Sequence, residues 1–218
     1  MIELIRSALE RECEAGKKLS LLDIGCSSGN LLMHLKKLLP AVDYYGGDLF
    51  PEIIDHCRSN PDLSGVQFEV MDIRDLGDRG RFDAVVANAI LHRFSLEEFG
   101  VAIGSLSRVT RAGGWLFAFD FFHPFEQDLL IVERSRSHPE GLTLIFRPYS
   151  SVTQVLSEAG FISVQFHPFS IPIDLERPAD LDDMRTFTIR ADGGERLNFR
   201  GTLFLPWCHL VARKRGVA

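Results

Sequence analysis

Three acidic residues and two histidines stand in this 218-residue chain where side chains can meet a ligand. Asp23, Asp48 and Asp72 lie at or near the ends of short apolar runs, and His92 and His123 follow later ones. The stretch LLDIGCSSGN, Leu21 to Asn30, is the most informative. Its apolar part reads as a buried strand that delivers Asp23 and Gly25 into a turn, which passes Cys26 and Ser27, ends at Gly29 and opens a helix at Asn30. A turn of this kind serves a ligand that approaches the backbone closely. The dinucleotide fingerprint needs glycine at 25, 27 and 30, where this chain has Gly25, Ser27 and Asn30, so two of three are missing. An imidazole is a side chain suited to the work of a general base.

Strands and helices must alternate to position these groups. Ile2, Ile5, Ala8 and Leu9 recur at helical spacing before Gly16, which predicts an amphipathic helix with a glycine stop. Leu19 to Ile24 and Val42 to Gly47 read as strands. The first is followed by a helix from Asn30 to Leu39, ended by Pro40, and the second by a helix from Pro51 to Arg58. Val66 to Val70, Phe82 to Ala87 and Trp115 to Phe119 are further strands, with a helix over Ser95 to Arg108 that Ser95 caps. This alternation predicts a mostly parallel sheet covered on both faces. Residues 121–150, rich in aromatics and with three prolines, read as an irregular cover. Ser151 to Ala159 reads as a helix stopped by Gly160, and Phe161 to Phe166 as a strand. Thr186 to Arg213 reads as an antiparallel pair around Asp192-Gly193-Gly194.

The residues of that turn resemble the class I methyltransferase family, in which an acidic residue is followed by glycine at every second position. Asp23, Gly25, Ser27 and Gly29 match all but the middle glycine. The resemblance continues through YYGGDLF, VMDIRD, FDAVVANAILHRF and RAGGWLFAFDFF, covers roughly Leu19 to Phe122 and is generic beyond. It implies a seven-stranded Rossmann-like sheet, to which the residue pattern adds a C-terminal antiparallel hairpin extension, binding S-adenosylmethionine and releasing S-adenosylhomocysteine. Asp48 would then accept hydrogen bonds from both ribose hydroxyls. Asp72, with Asp75 as substitute, would contact the adenine amino group, Ile73 would pack on the ring, and Asn88 would lie beside the methyl group. The implied cofactor residues are Asp23, Gly25, Cys26, Ser27, Gly29, Asn30, Asp48, Leu49, Asp72, Ile73 and Asn88.

Methyl transfer needs an acceptor lone pair held in line with the methyl carbon, and a base only where the acceptor starts protonated. His92, in the loop after the fourth strand, and His123, in DFFHPF beside Asp120, are the candidate bases; His123 could instead line the acceptor pocket. Phe119, Phe121, Phe122, Phe125, Tyr149, Phe166, Phe169 and Trp207 could wall such a pocket, or fill an ordinary core. Arg185, Arg190, Arg196 and Arg200 could receive an acidic acceptor or form a solvated hairpin face. Plainer roles compete throughout: Gly25 and Gly29 could serve packing, Asp48 could cap the helix at Pro51, and His92 could pack the next helix. Two other functions stay open: a noncatalytic partner subunit or cofactor sensor, and a nicotinamide-dependent oxidoreductase.

Twenty-four Lys and Arg against 30 Asp and Glu give a formal charge of -6, unsuited to nucleic acid or an anionic membrane as main partner. ANAIL, at 87 to 91, lacks the proline-aromatic signature of many base-modifying relatives. Cys13, Cys26, Cys57 and Cys208 are widely spaced, with neither metal-ligand nor disulfide-scaffold patterning, which points to reduced thiols. With no export signal or membrane-length apolar run, the expectation is a cytoplasmic monomer or homodimer, one domain over 1–218, acting on a small-molecule acceptor without a metal. Within it, 1–18 is an N-terminal helix, 19–120 the cofactor-binding core, 121–150 the cover and 151–218 the C-terminal strands and hairpin.

Overall fold

The computed structural model describes residues 1–216, so the last two positions of the expected C-terminal segment lie outside the described residues. Five helices and twelve strands follow in chain order: α1 (Ile2–Glu14), β1 (Leu19–Ile24), α2 (Asn30–Leu38), β2 (Val42–Asp48), α3 (Pro51–Ser59), β3 (Gln67–Val70), β4 (Phe82–Asn88), α4 (Leu96–Val109), β5 (Thr110–His123), β6 (Leu129–Ser135), β7 (His138–Pro148), α5 (Tyr149–Glu158), β8 (Phe161–Pro168), β9 (Thr186–Arg190), β10 (Arg196–Arg200), β11 (Leu203–Phe204) and β12 (Trp207–Lys214). The main sheet runs β3-β2-β1-β4-β5-β12-β8. The first five of these strands are parallel, and β12 lies antiparallel between β5 and β8. This is the expected α/β architecture, its seven-strand path extended to nine strands by β6 and β7, with one core on each face of the sheet.

Local chemistry explains the elements. The strands β1 and β4 are apolar on both sides because helices cover both faces. The helix α4 starts at a capping box: Ser95 Oγ accepts from the Glu98 amide, and the Glu98 carboxylate accepts from the Ser95 amide. On α1 the buried residues Ile5 and Leu9 face the core that also holds Leu32 and Leu35 of α2. Because β1 leads on to a neighbour on one side and β4 borders it on the other, the sheet order reverses there, which opens a crevice at the strands' carboxyl ends.

Two expectations are corrected. Residues 121–150 are not irregular: β5 runs on to His123, and β6 and β7 form an antiparallel hairpin with Leu129 opposite Phe146. From Leu130 to Ser135 exposed and half-buried positions alternate along β6, but the sequence LLIVERS puts apolar and polar residues on both faces, so the period-two hydropathy signal that marks a strand is absent. The hairpin joins the sheet through parallel pairing of Arg147 with Phe122 and Pro148 with His123. The second correction concerns Thr186 to Arg213. The hairpin around Asp192-Gly193-Gly194 is present, with Gly194 at φ +82°, but it forms a separate sheet, β11-β10-β9. Residues from Trp207 onward leave it to enter the main sheet. The hairpin arginines are engaged: Arg190 and Arg196 share Asp174, Arg185 pairs with Asp183 and Arg200 with Glu133. The pairs of Arg185 and Arg190 are exposed, whereas Arg200 meets a Glu133 carboxylate that is largely buried. Among the described residues no helix is long and apolar enough to cross a membrane.

Candidate active site

The crevice at the carboxyl ends of β1, β2 and β4 is a cavity of about 810 Å³. Its wall includes Asp23, Gly25, Cys26, Ser27, Asn30, Asp48, Leu49, Asp72, Ile73, Asn88 and His92. The sheet thus gathers residues 70 positions apart in the chain around one space. Two expected site residues stand elsewhere. Gly29 caps α2 behind the turn at φ +74°, and a Cβ there would meet Leu63 at 2.6 Å, so its observable role is to let the helix pack. His123 lines a different pocket beyond the end of β5.

The turn is held from two sides. The Gly25 and Cys26 amides donate to the Gly47 carbonyl at 2.7 and 3.0 Å, and the Cys57 thiol donates to the Ser27 carbonyl at 3.0 Å. Asp48, only 7% exposed, accepts from the Ser27 amide at 3.0 Å through Oδ2 and from the Phe50 amide at 3.2 Å through Oδ1. Asp48 therefore fastens the turn and also faces the cavity. Gly25 has φ +75°, and a Cβ on it would meet Ile90 at 2.8 Å. Ser27, where the resembled pattern has glycine, sits at φ 48°, a left-handed conformation that costs a residue with a Cβ about 1 kcal/mol. Its side chain is exposed and its amide and carbonyl bonds are backbone groups that survive substitution. Ser27→Gly is accordingly expected to stabilise the protein by about 0.5–1 kcal/mol, raising Tm by roughly 1–4 °C in differential scanning calorimetry. A lowered Tm would show that the turn does not strain Ser27.

Asp23 is the outlier in this wall. It is 2% exposed, and its Oδ1 has no hydrogen-bond partner among the described residues. Burial, and secondly the neighbouring charge of Asp48, push its carboxyl up to about 7. A buried carboxylate with a free oxygen is a receptor for a cation or a strong donor. Asp72 is otherwise placed: it accepts from the Arg74 amide at 2.9 Å and from the Arg74 guanidinium at 2.7 Å, which holds its carboxyl below the usual range. Ile73 beside it is buried against the core.

On the far wall, His92 is part of a network that its position in the sequence did not reveal. Its Nδ1 lies 2.8 Å from Asp120 Oδ1; a carboxylate only accepts, so Nδ1 is the donor and Nε2 is left free to accept a proton. Asp120, 1% exposed, also accepts from the backbone amides of Leu91, His92 and Phe121. The buried guanidinium of Arg147, on β7, donates to the Leu91, Phe94 and Ser95 carbonyls and lies 4.5 Å over the Phe99 ring. Burial pushes its pKa down. The loop carrying His92 is thus pinned by Asp120 below and Arg147 from the hairpin. Neither was marked as functional in the sequence, since both act across long separations and Arg147 lies in a segment without periodicity.

Comparison with known proteins agrees with this geometry. Residues 21–114 match the family described as methyltransferase domain. The chain is 26% identical over 112 residues to malonyl-[acyl-carrier protein] O-methyltransferase of Acetivibrio thermocellus, covering 51% of this chain and 39% of that protein. It is 29% identical over 120 residues to fatty-acid O-methyltransferase of Mycolicibacterium smegmatis, covering 55% and 42%. The chain therefore spans about two-fifths of the length of these curated relatives. A SAM-dependent methyltransferase from Methanosarcina mazei superposes with a TM-score of 0.61 at 18% identity, over 92% of this chain and 94% of that one, a likeness of fold.

Proposed function

We propose, from the match of residues 21–114 to the methyltransferase-domain family, that this protein binds S-adenosylmethionine in the 810 Å³ crevice and methylates a small-molecule acceptor at oxygen or nitrogen. The observation that carries the reading is the buried, unpartnered Asp23 carboxylate in the wall of that crevice, opposite a His92–Asp120 pair. The residues present fit the cofactor. Asp23 is a receptor for the ammonium group, Asp48 for the ribose hydroxyls, and Ile73 a platform for the adenine, with the exposed backbone of the turn at Cys26 and Ser27 between them. When bound, the cofactor supplies an electrophilic methyl carbon on a sulfonium, whose bonding electron pair stays with sulfur as the methyl leaves.

The protein's own groups do the rest. The pinned loop from Asn88 to Phe94 closes one side of the crevice and fixes the acceptor's approach. For a hydroxyl acceptor, His92 Nε2 takes the proton, and the Asp120 carboxylate stabilises the imidazolium that results. Ser27 and Asn30 in place of fingerprint glycines weigh against a nicotinamide dinucleotide.

Titration calorimetry with S-adenosylhomocysteine tests the reading through pH. In the ligand-free protein Asp23 has a folded-state pKa of about 7, above the 3.8 of an unstructured chain. Between those values the folded state holds the extra proton, so the stability Asp23 confers is lost as pH rises through the window. An ammonium group needs the ionised form. Affinity is therefore expected to fall about tenfold per unit below pH 7, with up to one proton released on binding at pH 6, seen as a dependence of the heat on the buffer's ionisation enthalpy. Binding without proton release would remove Asp23 from the role, and no binding at any pH would overturn the cofactor assignment.

A further inference from the structure

A second pocket, of about 490 Å³, lies beyond the ends of β5 and β8, between the main sheet and the small β9–β11 sheet. Tyr149, Phe169, Leu197, Phe204 and Trp207 make much of its wall, and Pro124, Pro168 and Pro206 add flat apolar surface. One imidazole faces it. His123 is 5% exposed, and neither Nδ1 nor Nε2 has a hydrogen-bond partner among the described residues. Three of the polar residues around it are already committed: Asn198 donates to the Phe169 carbonyl and accepts from the Ile171 amide, Arg196 pairs with Asp174, and the Tyr149 hydroxyl lies 3.7 Å from the Cys208 thiol; Ser170 and Glu195, both exposed, complete the polar lining without bonding the imidazole. Leaving a buried imidazole unbonded is costly, and an internal partner for it is lacking.

We propose that this pocket binds a planar aromatic compound through one hydroxyl group, which His123 hydrogen-bonds. Aromatic and proline walls favour a flat ring over a sugar or a charged headgroup, because they offer faces to stack on and few free polar groups. A neutral imidazole presents one donor and one acceptor, the complement of a hydroxyl. Trp207 links the pocket to the crevice: its ring lies 6.4 Å from that of His92 and 4.1 Å from that of Phe121. Phe125, 68% exposed, stands at the mouth with its ring 6.2 Å from His123. The ligand's standing as the methyl acceptor rests on the methyltransferase reading; its binding here does not.

The probe is 2-naphthol, titrated by fluorescence and compared with naphthalene, which lacks the hydroxyl. The wild-type protein is expected to bind 2-naphthol saturably at one site, about tenfold more tightly than naphthalene, the difference one buried hydrogen bond makes. His123→Leu should bind the two within about twofold of each other, and Ser170→Trp, at an exposed lining residue, should weaken both by more than tenfold. The same samples are titrated with S-adenosylhomocysteine, which both variants should bind as the wild type does. The pocket proposal is overturned by absent or non-saturating naphthol binding, by a preference that survives His123→Leu, or by affinity indifferent to Ser170→Trp. Naphthol binding without S-adenosylhomocysteine binding would instead overturn the methyltransferase reading and leave the pocket standing.

Discussion

Replacing Asp48 with alanine is expected to weaken S-adenosylhomocysteine binding by about 30- to 1,000-fold, a loss of roughly 2–4 kcal/mol. Two effects combine. The carboxylate is the receptor proposed for the ribose hydroxyls, and hydrogen bonds to a charged acceptor are among the stronger kind. It also accepts from the Ser27 and Phe50 amides, so its removal leaves both donors unpaired at the point where the turn meets the ligand. Asp48→Asn keeps an acceptor for one of those amides and should lose less than the alanine variant. Calorimetry on both, beside their thermal midpoints, separates the two effects. Unchanged affinity in Asp48→Ala would take Asp48 out of the site, whereas a lowered Tm with normal affinity would reduce it to a fastening of the turn.

The second large effect is expected in turnover. His92→Ala should lower kcat at saturating cofactor by about 10²- to 10⁴-fold for a hydroxyl acceptor, the usual contribution of a positioned base. S-adenosylhomocysteine affinity should change by less than about tenfold, since His92 is not among the proposed receptors for ammonium and ribose. Asp120→Asn is the sharper test, because an amide can present its NH₂ to Nδ1 and so favour the tautomer whose Nε2 carries the proton. It should therefore impair turnover nearly as much as His92→Ala while keeping the ring in place. Full activity of both variants would leave methyl transfer to positioning alone and would point to an acceptor that arrives without a proton to lose.

What could be read from the residues follows from the range of the interactions involved. The turn from Asp23 to Gly29 was legible as a turn because its shape depends on neighbours within one strand-turn-helix unit, and Asp48 as the acid that ends the next strand, whereas the bond between Asp48 and the Ser27 amide, 21 positions away, was not. Ser95 was legible as a cap for the same reason, since its partner is three residues away. The His92–Asp120 pair joins groups 28 positions apart, and nothing in LHRF or FAFDFF states that parallel strands will place one against the other. Arg147 was hidden more deeply. A buried guanidinium is uncommon, and its partners are backbone carbonyls, which leave no trace in sequence. The β6–β7 hairpin escaped because apolar and polar residues do not alternate along LLIVERS, although half-buried and exposed positions do. The aromatic residues were legible as a group, but only the fold divides Phe121 and Phe166, packed in or against the core, from Phe125 and Phe169 on a cavity wall.

The strand β12 pairs with β5 along seven residues, Trp207 opposite Phe121 through Arg213 opposite Trp115, although some 90 positions of chain separate them. During synthesis β5 emerges with one long edge unsatisfied, and that edge carries Phe117, Phe119 and Phe121. It stays open until residues near 214 have left the ribosome, roughly 5–20 s at usual elongation rates. Pairing over so wide a loop is slow as well. The nascent protein is therefore most exposed to strand-to-strand misassociation in this interval, and an early stop before Trp207 would make that hazard permanent while sparing the strands that line the crevice.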